Sequence, residues 1–132
     1  MNVLGLDIGA ARIGVALGNT ETRLASPVAV VPARPEEQAF VELAKLIRAE
    51  GVRSVIIGMP RLLSHPEHET EQQAQIQAWA QRFTTHISVP IVFADETLSS
   101  ALAGRWQQER QEKGKRDDLA ALAILQSYLD RL

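Results

Sequence analysis

Residues 3 to 18, Val-Leu-Gly-Leu-Asp-Ile-Gly-Ala-Ala-Arg-Ile-Gly-Val-Ala-Leu-Gly, constrain this chain more than any other stretch. Side chains alternate along a strand, so Leu4, Leu6 and Ile8 share one face while Asp7 falls on the other, beside Gly5. Gly9 permits a tight turn, after which Ile13, Val15 and Leu17 resume the alternation. The stretch predicts a β-hairpin with a single acid on its otherwise apolar first strand. A carboxylate there is costly unless a cation or a metal pairs with it. The competing arrangement is an Asp that accepts from the turn amides of Gly9 or Ala10. Asp7 alone does not decide between the two.

A length of 132 residues suits one domain, over residues 1–132, with a substantial core. The hydrophobic fraction of 45% and the charged fraction of 23% are those of an ordinary soluble globular protein. The absence of cysteine excludes disulfides, thiolate metal sites and thiol nucleophiles. No basic region precedes a pure apolar run at the start, and no run is long enough to span a membrane, so a cytoplasmic address is expected. The formal net charge of −2 gives no global sign of nucleic-acid binding, which must therefore rest on a local basic patch.

After the hairpin, residues 23–31 suit a third strand, with Pro27 placing it at an edge or beside a bulge. Residues 36–50 suit a helix with Phe40, Leu43, Ala44 and Ile47 on its apolar stripe, acids in its first turn and Gly51 as its C-terminal stop. The apolar run 52–58 predicts a strand buried on both faces, followed by a loop over 59–69. A second helix over 70–83 carries Ile76, Trp79, Ala80 and Phe83 inward, and a further buried strand covers 89–94. A third helix begins near Leu98, carrying Ala101, Leu102 and Trp106; the polar stretch 107–116 breaks it, and a last helix runs from 117 to about 131. Strands alternating with helices after an opening meander imply an α/β fold with a mixed sheet covered by helices on both faces.

In such a sheet function gathers at the carboxyl ends of the strands. Three acids lie at such places: Asp7 in the first strand, Glu96 just past the fifth, and Asp117 opening the last helix. Three carboxylates converging on one point repel unless cations sit among them, and hard oxygen-liganded ions, Mg²⁺ or Mn²⁺, fit that description. A site of this kind suits phosphoryl chemistry. Singly, the acids have plainer roles, a solvated strand end for Asp95-Glu96 and a helix cap for Asp117.

Gly5-Leu6-Asp7-Ile8-Gly9 followed by Arg12-Ile13-Gly14-Val15-Ala16 resembles the opening motif of the YqgF/RuvX family of RNase H-like nucleases. The likeness continues at Ile57-Gly58-Met59-Pro60, at Asp95-Glu96-Thr97-Leu98-Ser99-Ser100, and at Asp117 with Ala120-Ala121 and Ile124-Leu125-Gln126-Ser127-Tyr128, in order along essentially the whole chain. The resemblance implies an RNase H-like mixed five-stranded sheet and an acidic triad at Asp7, Glu96 and Asp117. It also implies nuclease activity of the kind linked to pre-16S rRNA 5′-end maturation and Holliday-junction resolution. A four-way DNA junction has near two-fold symmetry, so the resemblance further implies a homodimer. Three departures touch substrate contacts. Thr97 stands where the family usually has Arg, Arg61-Leu62-Leu63-Ser64-His65 replaces Leu-Asn-Met-Asp-Gly, and Asp117 follows Arg116 rather than an apolar residue.

Arg105, Arg110, Lys113, Lys115 and Arg116 form a late basic cluster just before Asp117. Usually a solvated surface, such a cluster beside an acidic site becomes a candidate phosphate-backbone grip, with Arg12 in the first turn as a second contributor. His65-Pro66-Glu67-His68 describes an exposed loop with no third ligand in view, and His86 suits a helix C-terminal partner. Trp79, Trp106 and Tyr128 lie on helical core positions and make no stacking platform. Two other functions remain open on the residues: a catalytically silent nucleic-acid-binding or scaffold module, and an actin-like ATPase domain suggested by Asp-x-Gly, for which 132 residues are too few to form two lobes.

Overall fold

The computed structural model describes residues 1–62, 70–98 and 117–132. Five strands, β1 (Asn2–Ile8), β2 (Arg12–Asn19), β3 (Leu24–Pro32), β4 (Val52–Leu62) and β5 (Ile91–Leu98), form one sheet in the order β3-β2-β1-β4-β5. The β1–β2–β3 meander is antiparallel, whereas β1–β4 and β4–β5 run parallel. Among the described residues three α-helices, α1 (Glu36–Ala49), α2 (Glu71–Phe83) and α3 (Asp117–Asp130), cover it.

The opening hairpin folds as its alternation requires. Leu4, Leu6, Ile13 and Val15 enter the core beneath α1 and α2, with Phe40, Leu43, Ile76, Trp79 and Phe83. Phe40, Trp79 and Phe83 form an aromatic cluster between the two helices, with centroids 5.0–5.3 Å apart. Val3, Ala16, Ile56 and Ala94 face the opposite way and pack beneath α3 against Ala121, Ile124, Leu125 and Leu129, with Tyr128 partly buried beside them. The mixed sheet with helices on both faces is therefore as expected. Among the described residues no helix is long and apolar enough to cross a membrane.

The β3 edge shows the anticipated disruption: the register with β2 shifts between Val15 and Ala16, passing from Ala29 to Pro27. Gly51 ends α1 at φ +59°, the left-handed conformation that favours glycine. Two strands are longer than expected. β4 continues through residues 59–62 and β5 reaches Leu98, because the two pair with each other through Met59↔Asp95, Pro60↔Glu96, Arg61↔Thr97 and Leu62↔Leu98. Pro60 is tolerated there because β4 pairs with β1 only as far as Ile57, leaving one side of the later segment without a ladder to interrupt. Buried Gln73 ties this extension to α2 by donating to the Pro60 carbonyl, while Gln73 and Thr70 form a reciprocal capping box. The expected helix start near Leu98 is corrected, since Leu98 ends β5; Ala101, Leu102 and Trp106 lie outside the described residues.

Candidate active site

Among the described residues Asp7 is the only charged side chain in the buried set, at 6% exposure. It lies next to the carboxyl end of the central strand β1, opposite Gly14 of β2. Like Val3 and Gly5 it belongs to the face that packs on α3, by the alternation of the strand. Beyond it the chain turns, with the Gly9 N–H donating to the Arg12 carbonyl at 3.0 Å.

Three glycines set the approach of α3 to that face. A Cβ added at Gly5 would lie 2.7 Å from Leu125 Cβ, one at Gly58 would lie 2.5 Å from Ile124 Cδ1, and one at Gly18 would lie 3.0 Å from Leu129 Cδ1. Glycine at these positions is a requirement of space. The same contacts fix the helix direction. Leu129 lies over Gly18, the partner of Val3, while Leu125 and the Ala121 carbonyl lie over Gly5, so α3 runs antiparallel to β1. Continued upstream at about 1.5 Å per residue, the helix begins at the carboxyl end of β1, the end that holds Asp7.

The backbone of Glu96 belongs to the same end. It lies within β5, not just past it as expected, paired with Pro60 and two residues beyond Ala94, which packs in the α3 layer. Asp117 is the first residue of α3, as expected. The backbone positions of the three acids thus gather at one end of the sheet, and of the three only the Asp7 side chain lies among those described. An acidic, oxygen-donor set at this place has the chemistry that Mg²⁺ or Mn²⁺ takes, and the buried Asp7 carboxylate fits such an ion. Arg12 opens β2, exposed, on the far side of the turn. Arg110, Lys113, Lys115 and Arg116 lie outside the described residues, as does His65-Pro66-Glu67-His68.

Further residues at this end gave no signal of function in the sequence. Arg34, Gln72 and Gln75 line a cleft behind the β1–β2 turn, on the α1–α2 side of the sheet. The polar stripe 72-75-82 on α2 could be read from helical spacing, but not what it faces. His86 closes a short 3-10 turn (Thr84–His86) and reaches α1, its Nε2 lying 2.9 Å from Glu37 Oε1. That hydrogen bond to a carboxylate holds the imidazole pKa above its ordinary 6.5.

Comparison with known proteins agrees with this architecture. A Chloroflexus aggregans protein named "Putative pre-16S rRNA nuclease" is 38% identical over 133 residues, covering 97% of this chain and 92% of its own. A Methylobacillus flagellatus protein of the same name is 34% identical over 135 residues, covering 98% and 91%. Among solved structures, Thermus thermophilus RuvC in complex with Holliday junction substrate superposes with a TM-score of 0.57 at 16% identity, covering 98% of this chain and 93% of its own. The fowlpox virus Holliday junction resolvase gives 0.56 at 15% identity, covering 99% of each. These distant likenesses establish the RNase H-like fold that the family resemblance implied. The RuvX family model, described as Holliday junction resolvase, matches residues 1–131, and the chain belongs to that family.

Proposed function

We propose that this chain is a divalent-metal-dependent endonuclease that hydrolyses phosphodiester bonds in structured nucleic acid, with Asp7, Glu96 and Asp117 as metal-holding catalytic residues. The observation that carries this function is Asp7, a carboxylate kept 6% exposed at the end of the central strand, where β5 and the start of α3 bring two further acids in the backbone. Three acids gathered at one end of a sheet repel one another unless cations sit among them, a condition that a hard divalent ion with oxygen ligands meets. Bound among these acids, Mg²⁺ or Mn²⁺ supplies activation of water and neutralisation of the charge that builds on a phosphoryl group. The chain's part is geometric. β1 and its neighbours fix the Asp7 carboxylate on a rigid element, and the glycine floor seats α3 so that residue 117 opens at the same end.

The substrate class rests on the relatives, whose names specify pre-16S rRNA, and on the family description, which specifies Holliday junctions. The cytoplasm is the compartment that suits both. Arg12, Arg110, Lys113, Lys115 and Arg116 are proposed to hold phosphates flanking the cleaved bond, and a homodimer is proposed for junctions, whose symmetry calls for paired cuts. The test is one assay with several substrates: a four-way DNA junction, a precursor 16S rRNA fragment and ATP, each with Mg²⁺, with Mn²⁺ and with chelator. Cleavage of either nucleic acid that chelator abolishes is the expected result. Binding without cleavage in both metals would make the chain a silent nucleic-acid-binding module, and ATP turnover alone would make it an ATPase.

A further inference from the structure

We infer that the cleft between the β1–β2 turn and helices α1 and α2 receives an unpaired segment of the nucleic-acid substrate beside the cleaved bond, an inference that rests on the function proposed above. The cleft has a volume of about 790 Å³. Clefts of about 300–1,000 Å³ enclose small-molecule ligands, so this one suits a nucleotide or two and is too small for a duplex. Gly9 and Ala10 form its lip, and Ile8, which also lines it, is the chain neighbour of Asp7. Asp7 faces α3 and the cleft lies on the α1–α2 side, so the end of β1 is a ridge between them. A strand crossing the carboxyl end of β1 past Asp7 meets the cleft within a few residues of the turn.

The lining has the chemistry of an unpaired nucleotide. Ile8, Ile76 and Trp79 give an apolar floor. Gln72 and Gln75, both exposed and one turn apart on α2, present amides that donate and accept, as the Watson–Crick edges of bases do, and those edges are open only in unpaired nucleotides. Farther along α2 the Arg82 guanidinium reaches across to α1 and grips Glu36 through two bonds, Nε to Oε2 at 3.0 Å and Nη2 to Oε1 at 2.8 Å. Among the described residues that pair neutralises the one acid lining the cleft, and exposed Arg34 beside it adds a positive charge suited to a phosphate. Arg82 and Arg34 both hold the Glu36 carboxyl below its ordinary pKa, so it stays ionised and paired at neutral pH.

The test measures binding by fluorescence anisotropy with the full chain in chelator, where nothing is cut. Two DNA ligands are compared: a junction with fully paired arms, and the same junction with a single-stranded extension on one arm. The wild type should prefer the extended ligand. Arg34→Ala should weaken that ligand by about tenfold, as expected for loss of a charge-assisted bond, and lower its log–log salt slope by about 0.7. Gln72→Ala with Gln75→Ala should also weaken it, and neither variant should change binding of the paired junction. A 4-thiothymidine placed in the extension should photocross-link to residues 71–82. Equal binding of the two ligands by wild type, equal losses on both ligands, or cross-links only outside the cleft would overturn the inference. Cleavage by wild type after addition of Mn²⁺ is scored separately. No cleavage with the extension preference intact removes the nuclease function and keeps the binding cleft, whereas cleavage with variant binding unchanged removes the cleft alone.

Discussion

A methyl group at Gly5 would meet Leu125 Cβ at 2.7 Å and the Ala121 carbonyl oxygen at 3.3 Å, atoms that cannot move without the helix that carries them. Gly5→Ala should therefore lift α3 from the sheet, at a cost of about 1–3 kcal/mol for overpacking, read as a lower urea midpoint at unchanged m-value. Because the lifted helix begins with Asp117, cleavage should fall as well. Gly58→Ala presses first on Ile124 Cδ1, the far end of a flexible side chain, at 2.5 Å. Rotation of that side chain costs about 1 kcal/mol, so the Gly58 variant should be the milder of the two. A Gly5 variant as stable and active as wild type would show that the glycine floor does not set the height of α3.

The elements are joined by a few side chains whose loss can be measured one at a time. Gln126 on α3 accepts from the Ala25 N–H at 3.1 Å and donates to the Arg23 carbonyl at 2.8 Å, fastening the start of β3 to the helix above it. Gln126→Leu should cost about 0.5–1.5 kcal/mol, the net worth of an ordinary hydrogen bond whose partners water can still reach, and should speed amide exchange at Ala25. His86 fastens the end of α2 to the first turn of α1 through Glu37. Its raised pKa means that the bridge stabilises fully below the imidazole's ordinary value and is lost as pH rises through the folded value. The stability difference between wild type and Glu37→Gln should thus shrink from about pH 5 to pH 8, followed by thermal unfolding at each pH. Neither fastening is evident in the sequence, because both join residues far apart in the chain. Local features were legible there: the hairpin from its alternation, the end of α1 from Gly51, the start of α3 from Asp117. The lengths of β4 and β5 were not. Pro60 and Asp95-Glu96 look like strand ends, and they lie within strands only because each strand supplies the other's pairing.

At the scale of the molecule, one sheet separates two layers with different work. The α1–α2 layer holds the larger core and the cleft, and the α3 side holds Asp7, the acid proposed to bind the catalytic metal. Asp7 was legible because an acid in an apolar strand stands out. Its company was less so, since the gathering of positions 96 and 117 depends on the parallel β4–β5 pairing and on α3 running antiparallel to β1. Arg34, Gln72 and Gln75 escaped notice because exposed polar residues look alike until the fold places them around a cavity. If the three acids share divalent cations, the metal-free protein carries their mutual repulsion, and Asp7→Asn should raise its melting temperature while removing the further rise that Mn²⁺ gives the wild type. The most direct measurement is the single-turnover cleavage rate of wild type and Asp7→Asn in Mg²⁺ and Mn²⁺, on whichever nucleic acid the wild type cuts. The Asn variant should bind that substrate and leave it intact in both metals. Turnover near the wild-type rate would mean that Asp7 does not hold the catalytic metal.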